Sequence, residues 1–304
     1  MKDGIKVSVF CITYNHEKYI AQTLESVINQ KTNFDYEIIV HDDCSTDNTA
    51  NIIREYEKKY PRLIIPIYQS ENQYNNNKNY IHDFLLPKAR GEYFAICEGD
   101  DYWCDESKLQ KQAEFLDSHS DYSLCVHKAQ ITKNDKKYGV IAPKKRNATL
   151  TCEDFILGGG GFVATNSIFS RMEYLYELPN YFKVKNIDYV LQIYLSGLGK
   201  SYYSSECMSV YRTGVEGSWT SVNSTVEKET EHILSINKFM DIFDEETKYK
   251  YHEVVAQKKL INLFDMYMVC KDYKKIYKEP FKAILQKKGL VFNVKVIIKR
   301  LVNK

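Results

Sequence analysis

The sequence predicts an α/β fold, in which a mostly parallel β-sheet has helices on both faces and is followed by a C-terminal helical region. Two observations predict this fold. Short apolar runs alternate with segments of helical periodicity over about the first 120 residues. Beyond about residue 222, strand signals stop and Lys/Glu-rich helical segments begin. We therefore expect a domain at residues 1–222 and a helical, basic region at residues 223–304.

The predicted strands are short runs that are rich in β-branched and aromatic residues. They cover residues 5–13, 36–40, 63–68, 93–97, 122–129 and 200–211. Helices are predicted where apolar residues recur at every third or fourth position. They begin near residue 15 and after the cap candidates Ser45, Thr46 and Asp47, and others cover residues 80–88, 109–116 and 186–197. Asparagines at 72–79 and glycines at 158–161 predict loops.

Composition excludes several classes of protein. The 304 residues carry a net charge of only +2, so no nucleic-acid partner is expected. The eight cysteines form no C-x-x-C pair, which favours a reducing compartment over a disulfide framework or a zinc site. No signal-peptide pattern opens the sequence, and no apolar run approaches the length of a membrane span. These features predict a cytoplasmic protein.

The C-terminus is locally basic. Residues 271–304 contain eleven Lys or Arg and two acids. Within this segment, apolar residues at 290–301 have helix-like spacing with basic residues between them. Such a helix would either lie on the inner face of the cell membrane as a peripheral contact or pack on the rest of the protein. The sequence leaves both interpretations open.

Clustered acids follow one of the predicted buried strands. Glu98, Asp100 and Asp101 come directly after the strand at 93–97. Like charges this close repel each other unless a cation lies among them, and hard oxygen ligands suit Mg²⁺ or Mn²⁺. Open α/β sheets bind ligands beyond the carboxyl ends of their strands. The cluster therefore predicts a divalent-ion site, although a solvated acidic turn would give the same pattern.

Two other strand ends carry side chains that suit a nucleotide. The first strand ends in Thr13, Tyr14 and Asn15, and the second leads to Asp43. A planar base would stack on Tyr14 and donate its N–H to Asp43. The alternatives are core packing for Tyr14 and a turn or cap role for Asp43. Asp100, with Glu98 beside it, would then hold the ion over a diphosphate.

These segments resemble family 2 glycosyltransferases, most specifically up to residue 120. The resemblance lies in residues 7–9, 13–15, 37–49, 91–93 and 98–103, and it extends to about residue 220. It implies a GT-A fold, with a Rossmann-like sheet, and inverting transfer of a sugar from a nucleotide diphosphate. By the family's Asp-any-Asp motif Asp100 is the metal ligand, and Glu98, a departure from that motif, faces the ribose or the outer shell of the ion. Asp43 matches the acid that contacts a uracil or thymine, and Tyr14 matches the aromatic residue beside it.

Inverting transfer also needs a general base, because a sugar hydroxyl is a poor nucleophile until its proton is being removed. The family takes this base from an acid at the start of a helix well after the metal motif. Asp188 is the match here, and the alternative is an N-cap carboxylate. Ile187 stands where the family often has Glu or Gly.

Two basic residues are weaker candidates for contacting phosphates. Arg212, with residues 217–219, resembles a stretch that closes over the diphosphate in some members of the family, and a surface salt bridge is the alternative. Lys78 lies in the asparagine-rich loop, where an exposed lysine commonly has no role. His16, His41, His82 and His127 lack the spacing of a metal site and are interpreted as ordinary.

The sequence therefore predicts a metal-dependent glycosyltransferase of the bacterial surface-polysaccharide type, with Mn²⁺ or Mg²⁺ as cofactor. Its donor would be a UDP- or dTDP-sugar, and its acceptor a saccharide or a lipid-linked saccharide. One alternative is a non-catalytic nucleotide-sugar-binding subunit of a membrane assembly. A nucleotidyltransferase is disfavoured because residues 13–16 do not form a Gly-rich basic phosphate loop.

Overall fold

The computed structural model describes residues 4–74, 76, 78–183, 187–215 and 225–287. The chain divides into two compact units, Met1–Ser218 and Trp219–Lys304. We predicted a catalytic domain at residues 1–222 and a helical region at residues 223–304. This assignment stays a prediction.

The first unit contains one sheet, to which all ten described strands belong. The strands are β1 (Ile5–Thr13), β2 (Asp35–Asp42), β3 (Ile64–Tyr68), β4 (Tyr93–Ile96), β5 (Tyr102–Trp103), β6 (Tyr122–Lys133), β7 (Lys136–Ile141), β8 (Ala148–Leu150), β9 (Phe169–Arg171) and β10 (Lys200–Arg212). Their order is β3-β2-β1-β4-β9-β6-β10-β5, with β7 beside β6 and β8 beside β10.

Most strands along this path are parallel. β1 pairs in parallel with β2 and β4, β2 with β3, and β6 with β10. β9 runs against both β4 and β6, and β5 runs against β10. The predicted α/β class with a mostly parallel sheet is therefore confirmed.

Helices pack on the sheet of the first unit. They are α1 (Ile20–Ile28), α2 (Thr49–Lys59), α3 (Lys108–Ser118), α4 (Cys152–Gly158) and α5 (Ile187–Leu198). The buried positions of α1 (Ile20, Thr23, Leu24 and Val27) recur with helical spacing, and its three apolar members belong to the main core. That core also contains Val7, Val9 and Cys11 of β1.

Two departures from the predicted elements have a local cause. In place of the predicted helix at 80–88, the structure has a π-helical turn at Ile81–Leu85 followed by a 3₁₀-helical turn at Leu86–Lys88. Pro87 lacks a backbone N–H and so cannot continue a regular helix. The strand predicted at 122–129 runs on to Lys133, because Asn134 and Asp135, with φ of 49° and 58°, form the tight turn of a hairpin with β7.

The second unit is helical where it is described. It contains α6 (Val226–Glu246), α7 (His252–Val269), α8 (Tyr273–Ile276) and α9 (Phe281–Lys287). Asn237 on α6 and Asn262 on α7 form a buried hydrogen bond of 2.9 Å between their side chains. None of the described helices is long and apolar enough to cross a membrane. The predicted amphipathic segment at 290–301 lies outside the described residues.

Candidate functional site

The carboxyl ends of β1, β2 and β4 meet at one edge of the sheet. Thr13 pairs with Asp42, and Phe10 of β1 pairs with Ile96 of β4. Residues 13–16, 42–43 and 98–101 therefore lie along this edge, which we call the rim. The sequence predicted this convergence, since parallel neighbouring strands end on the same side.

Asp43 contacts the asparagine-rich segment. Its carboxylate is buried and accepts hydrogen bonds from the backbone N–H groups of Gln73, at 2.7 Å, and Tyr74, at 3.2 Å. The pKa of the Tyr80 hydroxyl is raised by burial first and then by the nearby charge of Asp43. Both carboxylate oxygens thus hold the backbone of Gln73 and Tyr74, and a base would have to share or replace these contacts. Tyr14 is 37% exposed and is available for stacking.

Asn15 joins two rim loops. It has a positive φ of 55°, and its side-chain oxygen accepts a hydrogen bond of 2.7 Å from the backbone N–H of Thr46. Its own N–H donates to the Ser45 hydroxyl at 2.9 Å. Ser45 and Thr46, which the sequence suggested as helix caps, therefore fasten the loop after β1 to the loop after β2. In this structure Asn15 connects the two loops through its side-chain oxygen and its backbone N–H, and its role at a nucleotide stays a prediction.

Asp101 is fully satisfied by hydrogen bonds. Its two carboxylate oxygens accept from the backbone N–H of Arg212, at 2.8 Å, and from the side chain of Asn166, at 2.7 Å. Its carbonyl oxygen accepts from the Thr23 hydroxyl at 2.6 Å. Burial raises the pKa of Asp101 well above its usual range, and the charge of Asp100 adds to the rise. Asp101 therefore ties the rim to α1 and β10.

The carboxylates of Glu98 and Asp100 on the rim, and that of Asp188 near it, have fewer hydrogen-bond donors around them among the described residues than Asp101 has. No hydrogen bond or ion pair reaches the Glu98 carboxylate from the described ranges. Burial raises the pKa of Glu98 well above its usual range, and the charges of Asp188, Asp101 and Asp100 raise it further. The hydroxyl of Tyr211 also has a raised pKa, through burial first and then through these same four carboxylates. Glu98, Asp100 and Asp188 thus form an acidic cluster whose full ionisation is unfavourable unless a cation lies among them.

Asp188 lies in the first turn of α5, where its side chain is exposed. Its carboxylate accepts a hydrogen bond of 3.3 Å from the Thr165 hydroxyl. Partial loss of hydration to the surrounding protein raises the pKa of Asp188, and the Thr165 hydrogen bond opposes that rise. A carboxylate that is accessible and is more basic than usual suits a general base.

His16 is a rim residue that the sequence analysis interpreted as ordinary. Its Nε2 lies 3.9 Å from an Asp100 carboxylate oxygen, and its Nδ1 lies 3.1 Å from the Thr13 hydroxyl. Burial lowers the pKa of His16, more than the nearby carboxylates raise it, so the ring is neutral at neutral pH. Its position just before α1 was the one available sequence signal.

Arg212 is buried rather than directed at the rim surface. Its guanidinium lies over the rings of Tyr19, at 5.0 Å, and Tyr102, at 4.6 Å. It donates hydrogen bonds to the Asp100 carbonyl, at 2.5 Å, and to the Gln22 side chain. As described, Arg212 supports the backbone of Asp100, and its role at a diphosphate stays a prediction. Lys78 is exposed in the loop, and residues 217–219 lie outside the described part of the chain.

The rim fits a divalent cation that is shared with a ligand. Within the described residues, no three His, Cys, Asp or Glu side chains are grouped to hold a metal ion. The mutual repulsion of Glu98, Asp100 and Asp188 nevertheless favours a cation among them. Mg²⁺ and similar ions commonly take one or two protein carboxylates and complete their shell with phosphate oxygens and water. The donor set matches that arrangement.

A family model and several relatives match the chain. Residues 8–183, more than half of the chain, match the model described as glycosyl transferase family 2. An uncharacterised protein of Mycobacterium tuberculosis is 36% identical over 219 residues, which cover 71% of this chain and 61% of that protein. The putative teichuronic acid biosynthesis glycosyltransferase TuaG of Bacillus subtilis is 38% identical over 110 residues, 36% of this chain and 41% of TuaG. The chain thus spans less than two thirds of each relative.

Solved structures share the fold. TarS of Staphylococcus aureus in complex with UDP-GlcNAc superposes with a TM-score of 0.55 at 19% identity, over 87% of this chain and 81% of TarS. The mannosyltransferase PcManGT of Pyrobaculum calidifontis, in complex with GDP-Man and Mn²⁺, gives a TM-score of 0.55 at 13% identity, over 98% and 88%. At these identities the similarity is one of fold, and it supports the predicted GT-A architecture.

Proposed function

The chain belongs to glycosyl transferase family 2, and from this membership we propose that it is a metal-dependent inverting glycosyltransferase. Its donor in this proposal is a UDP- or dTDP-sugar, and its acceptor is a saccharide or lipid-linked saccharide of a surface polysaccharide. The name of TuaG, a teichuronic acid biosynthesis glycosyltransferase, supports a surface-polysaccharide product, and the nucleotide sugars bound in TarS (UDP-GlcNAc) and PcManGT (GDP-Man) support a nucleotide-sugar donor. A cytoplasmic location, with peripheral contact at the membrane, belongs to the same proposal.

The observation that carries the proposal is the division of the rim acids into distinct environments. Asp43, directly after β2, is buried and donates its backbone N–H to the Thr13 carbonyl, and Tyr14, directly after β1, is exposed. Glu98 and Asp100 follow β4, and Asp188 is close enough to raise the pKa of Glu98. One edge of the sheet thus offers a place for a base, a place for a charged diphosphate with its cation, and a basic carboxylate next to it. A plain acidic turn would not include Asp188.

The proposed mechanism is a single displacement. Asp188 accepts the proton of the acceptor hydroxyl while the acceptor oxygen forms a bond to the anomeric carbon. The bond from that carbon to the diphosphate oxygen breaks on the opposite face, and its electron pair leaves with the nucleotide diphosphate. Asp100 would hold Mn²⁺ or Mg²⁺, which supplies neutralisation of the leaving diphosphate. Arg212 keeps the backbone of Asp100 in place through its carbonyl.

Replacing Asp100 tests the metal and nucleotide part of the proposal. We expect the wild type to be stabilised against heat by UDP with Mn²⁺, because a ligand that binds the native state raises its apparent stability. Asp100→Ala should abolish the Mn²⁺-dependent part of that shift. A screen of nucleotide sugars in the same assay, followed by detection of sugar transfer or donor hydrolysis, identifies the donor.

Asp121→Ala is the matched control, since Asp121 pairs with Lys200 next to the first residue of β6, away from the rim. It should respond to UDP and Mn²⁺ as the wild type does. An undiminished Mn²⁺-dependent shift in Asp100→Ala would remove Asp100 from the metal site. Nucleotide-sugar binding without transfer or hydrolysis of any donor would favour the non-catalytic alternative.

A further inference from the structure

His16 and Asp100 face each other across a space that suits one metal ion. The His16 Nε2 and an Asp100 carboxylate oxygen are 3.9 Å apart, too far for a hydrogen bond. Two ligands bound to one ion at about 2.1 Å lie about 3.0 Å apart when adjacent and about 4.2 Å apart when opposite. The observed separation lies within about 1 Å of either value, a difference that small rotations of the two side chains can remove.

The imidazole is held in place before any ligand binds. The His16 backbone N–H donates to the Thr49 hydroxyl at 2.8 Å, and its carbonyl accepts from the N–H groups of Tyr19 and Ile20, both at 2.9 Å. The ring contacts the Thr13 hydroxyl through Nδ1 at 3.1 Å. When Nδ1 donates its proton to this hydroxyl, the lone pair of Nε2 faces Asp100, which is how a second hydrogen bond commonly orients a metal-binding histidine.

Gly99 makes this close arrangement possible. A Cβ atom at residue 99 would lie 2.4 Å from the Thr13 hydroxyl oxygen and 2.9 Å from the His16 Nδ1. Any larger residue would push the end of β4 away from His16. The absence of a side chain at position 99 therefore brings Asp100 next to the imidazole.

We propose that His16 Nε2 is a second protein ligand, with Asp100, of the divalent ion at the rim. The inference rests on the proposed function, since it assigns a ligand to that ion. An imidazole ligand disfavours Mg²⁺, which prefers oxygen, relative to Mn²⁺, Co²⁺ or Zn²⁺. His16 therefore makes the site select Mn²⁺ over Mg²⁺, and the diphosphate and water supply the remaining ligands.

Electron paramagnetic resonance of Mn²⁺ bound with UDP tests the ligand directly. Pulsed spectra of the wild type should show coupling to a directly bound ¹⁴N. His16→Gln should lose this coupling, bind Mn²⁺ about 10-fold or more weakly in the presence of UDP, and lose much of its preference for Mn²⁺ over Mg²⁺. His119→Gln, at the residue that follows the last residue of α3, is the control and should retain the ¹⁴N coupling.

The outcomes separate the two proposals. Wild-type Mn²⁺ binding without nitrogen coupling, or coupling that survives in His16→Gln, overturns the ligand assignment and leaves the proposed transferase intact. Absence of any UDP-dependent Mn²⁺ site in the wild type overturns the metal part of the proposed function and this inference with it. A thermal midpoint of His16→Gln close to that of the wild type establishes that the variant is folded.

Discussion

Acidic side chains at the two ends of the central strands differ in whether a cationic side chain compensates them. At the amino end, Glu37 is completely buried, and its oxygens accept hydrogen bonds from the Ser8 hydroxyl, at 2.7 Å, and from the Arg90 backbone and side chain, at 2.7–2.8 Å. At the rim, no cationic side chain among the described residues pairs with the carboxylate of Glu98 or Asp188. An acid that is paired with a cationic side chain stabilises the fold, whereas acids without such a partner favour the binding of a cation.

The amino-end cluster also has a steric requirement. Gly91 donates its N–H to the Ser8 hydroxyl at 2.9 Å, and a Cβ at residue 91 would lie 2.5 Å from the Ser8 backbone nitrogen. The chain therefore approaches β1 closely at both ends through a glycine, Gly91 before β4 and Gly99 after it. Gly91 thus allows the hydrogen bonds that stabilise the amino end, and Gly99 allows Asp100 to lie close to His16.

The largest expected effect is on turnover, from Asp188→Asn. Removal of a general base costs about 10²–10⁴-fold in rate, so turnover should fall by that factor while Mn²⁺-dependent UDP affinity is kept. Steady-state kinetics and calorimetric titration measure the two quantities. Asp154→Asn is the matched control, because Asp154 is a helix-start acid that completes a capping box in α4. It should reduce stability and leave turnover unchanged, and normal turnover in Asp188→Asn would place the base elsewhere.

The next effect in size is on stability, from Glu37→Ala at the amino end. The change leaves the buried Ser8 hydroxyl and the Arg90 groups without their acceptor, and it should lower the free energy of unfolding by about 3 kcal/mol. Urea denaturation measures this loss. UDP affinity in the presence of Mn²⁺ should stay at the wild-type value in the folded variant. A large loss of Mn²⁺-dependent UDP affinity in Glu37→Ala would contradict the view that the amino end serves stability and the rim serves binding.

The smallest effect, of opposite sign, comes from Glu98→Gln at the rim. The folded-state pKa of Glu98 is raised, so its ionisation destabilises the native state as pH increases through the unfolded value of 4.5. Removing the charge should raise the free energy of unfolding at pH 7 by about 0.5–2 kcal/mol. The gain should vanish below pH 4, where wild-type Glu98 is protonated in both states. Urea denaturation at both pH values tests this, and a loss of stability at pH 7 would contradict the uncompensated environment.

Much of the rim follows from local sequence patterns. The runs at 5–13, 36–40 and 93–97 predicted three strands, and each is present, because β-branched and aromatic residues suit buried strands. Parallel pairing then brings their following residues together. The strands β5 and β9 were not predicted, since they contain only two and three residues and form through pairing with β10, β4 and β6.

The partners of each acid could not be predicted in the same way. Asp100 and Asp101 are adjacent and chemically identical, yet Asp101 is buried against Asn166 and Arg212 while Asp100 faces His16. These contacts join residues that are 65 to 111 positions apart for Asp101, and side-chain spacing carries no information at that range. The same holds for Asp43, whose backbone partners lie in an irregular loop.

The sequence by itself determined the α/β class, the edge of the sheet at which polar residues gather and the family to which the chain belongs. Periodicity and short motifs suffice for these, because they depend on neighbours along the chain. Only the tertiary structure decided which acids are compensated, that Arg212 lies between Tyr19 and Tyr102, and that His16 faces Asp100. Those properties depend on desolvation and on contacts between distant segments, which exist only after the sheet has assembled.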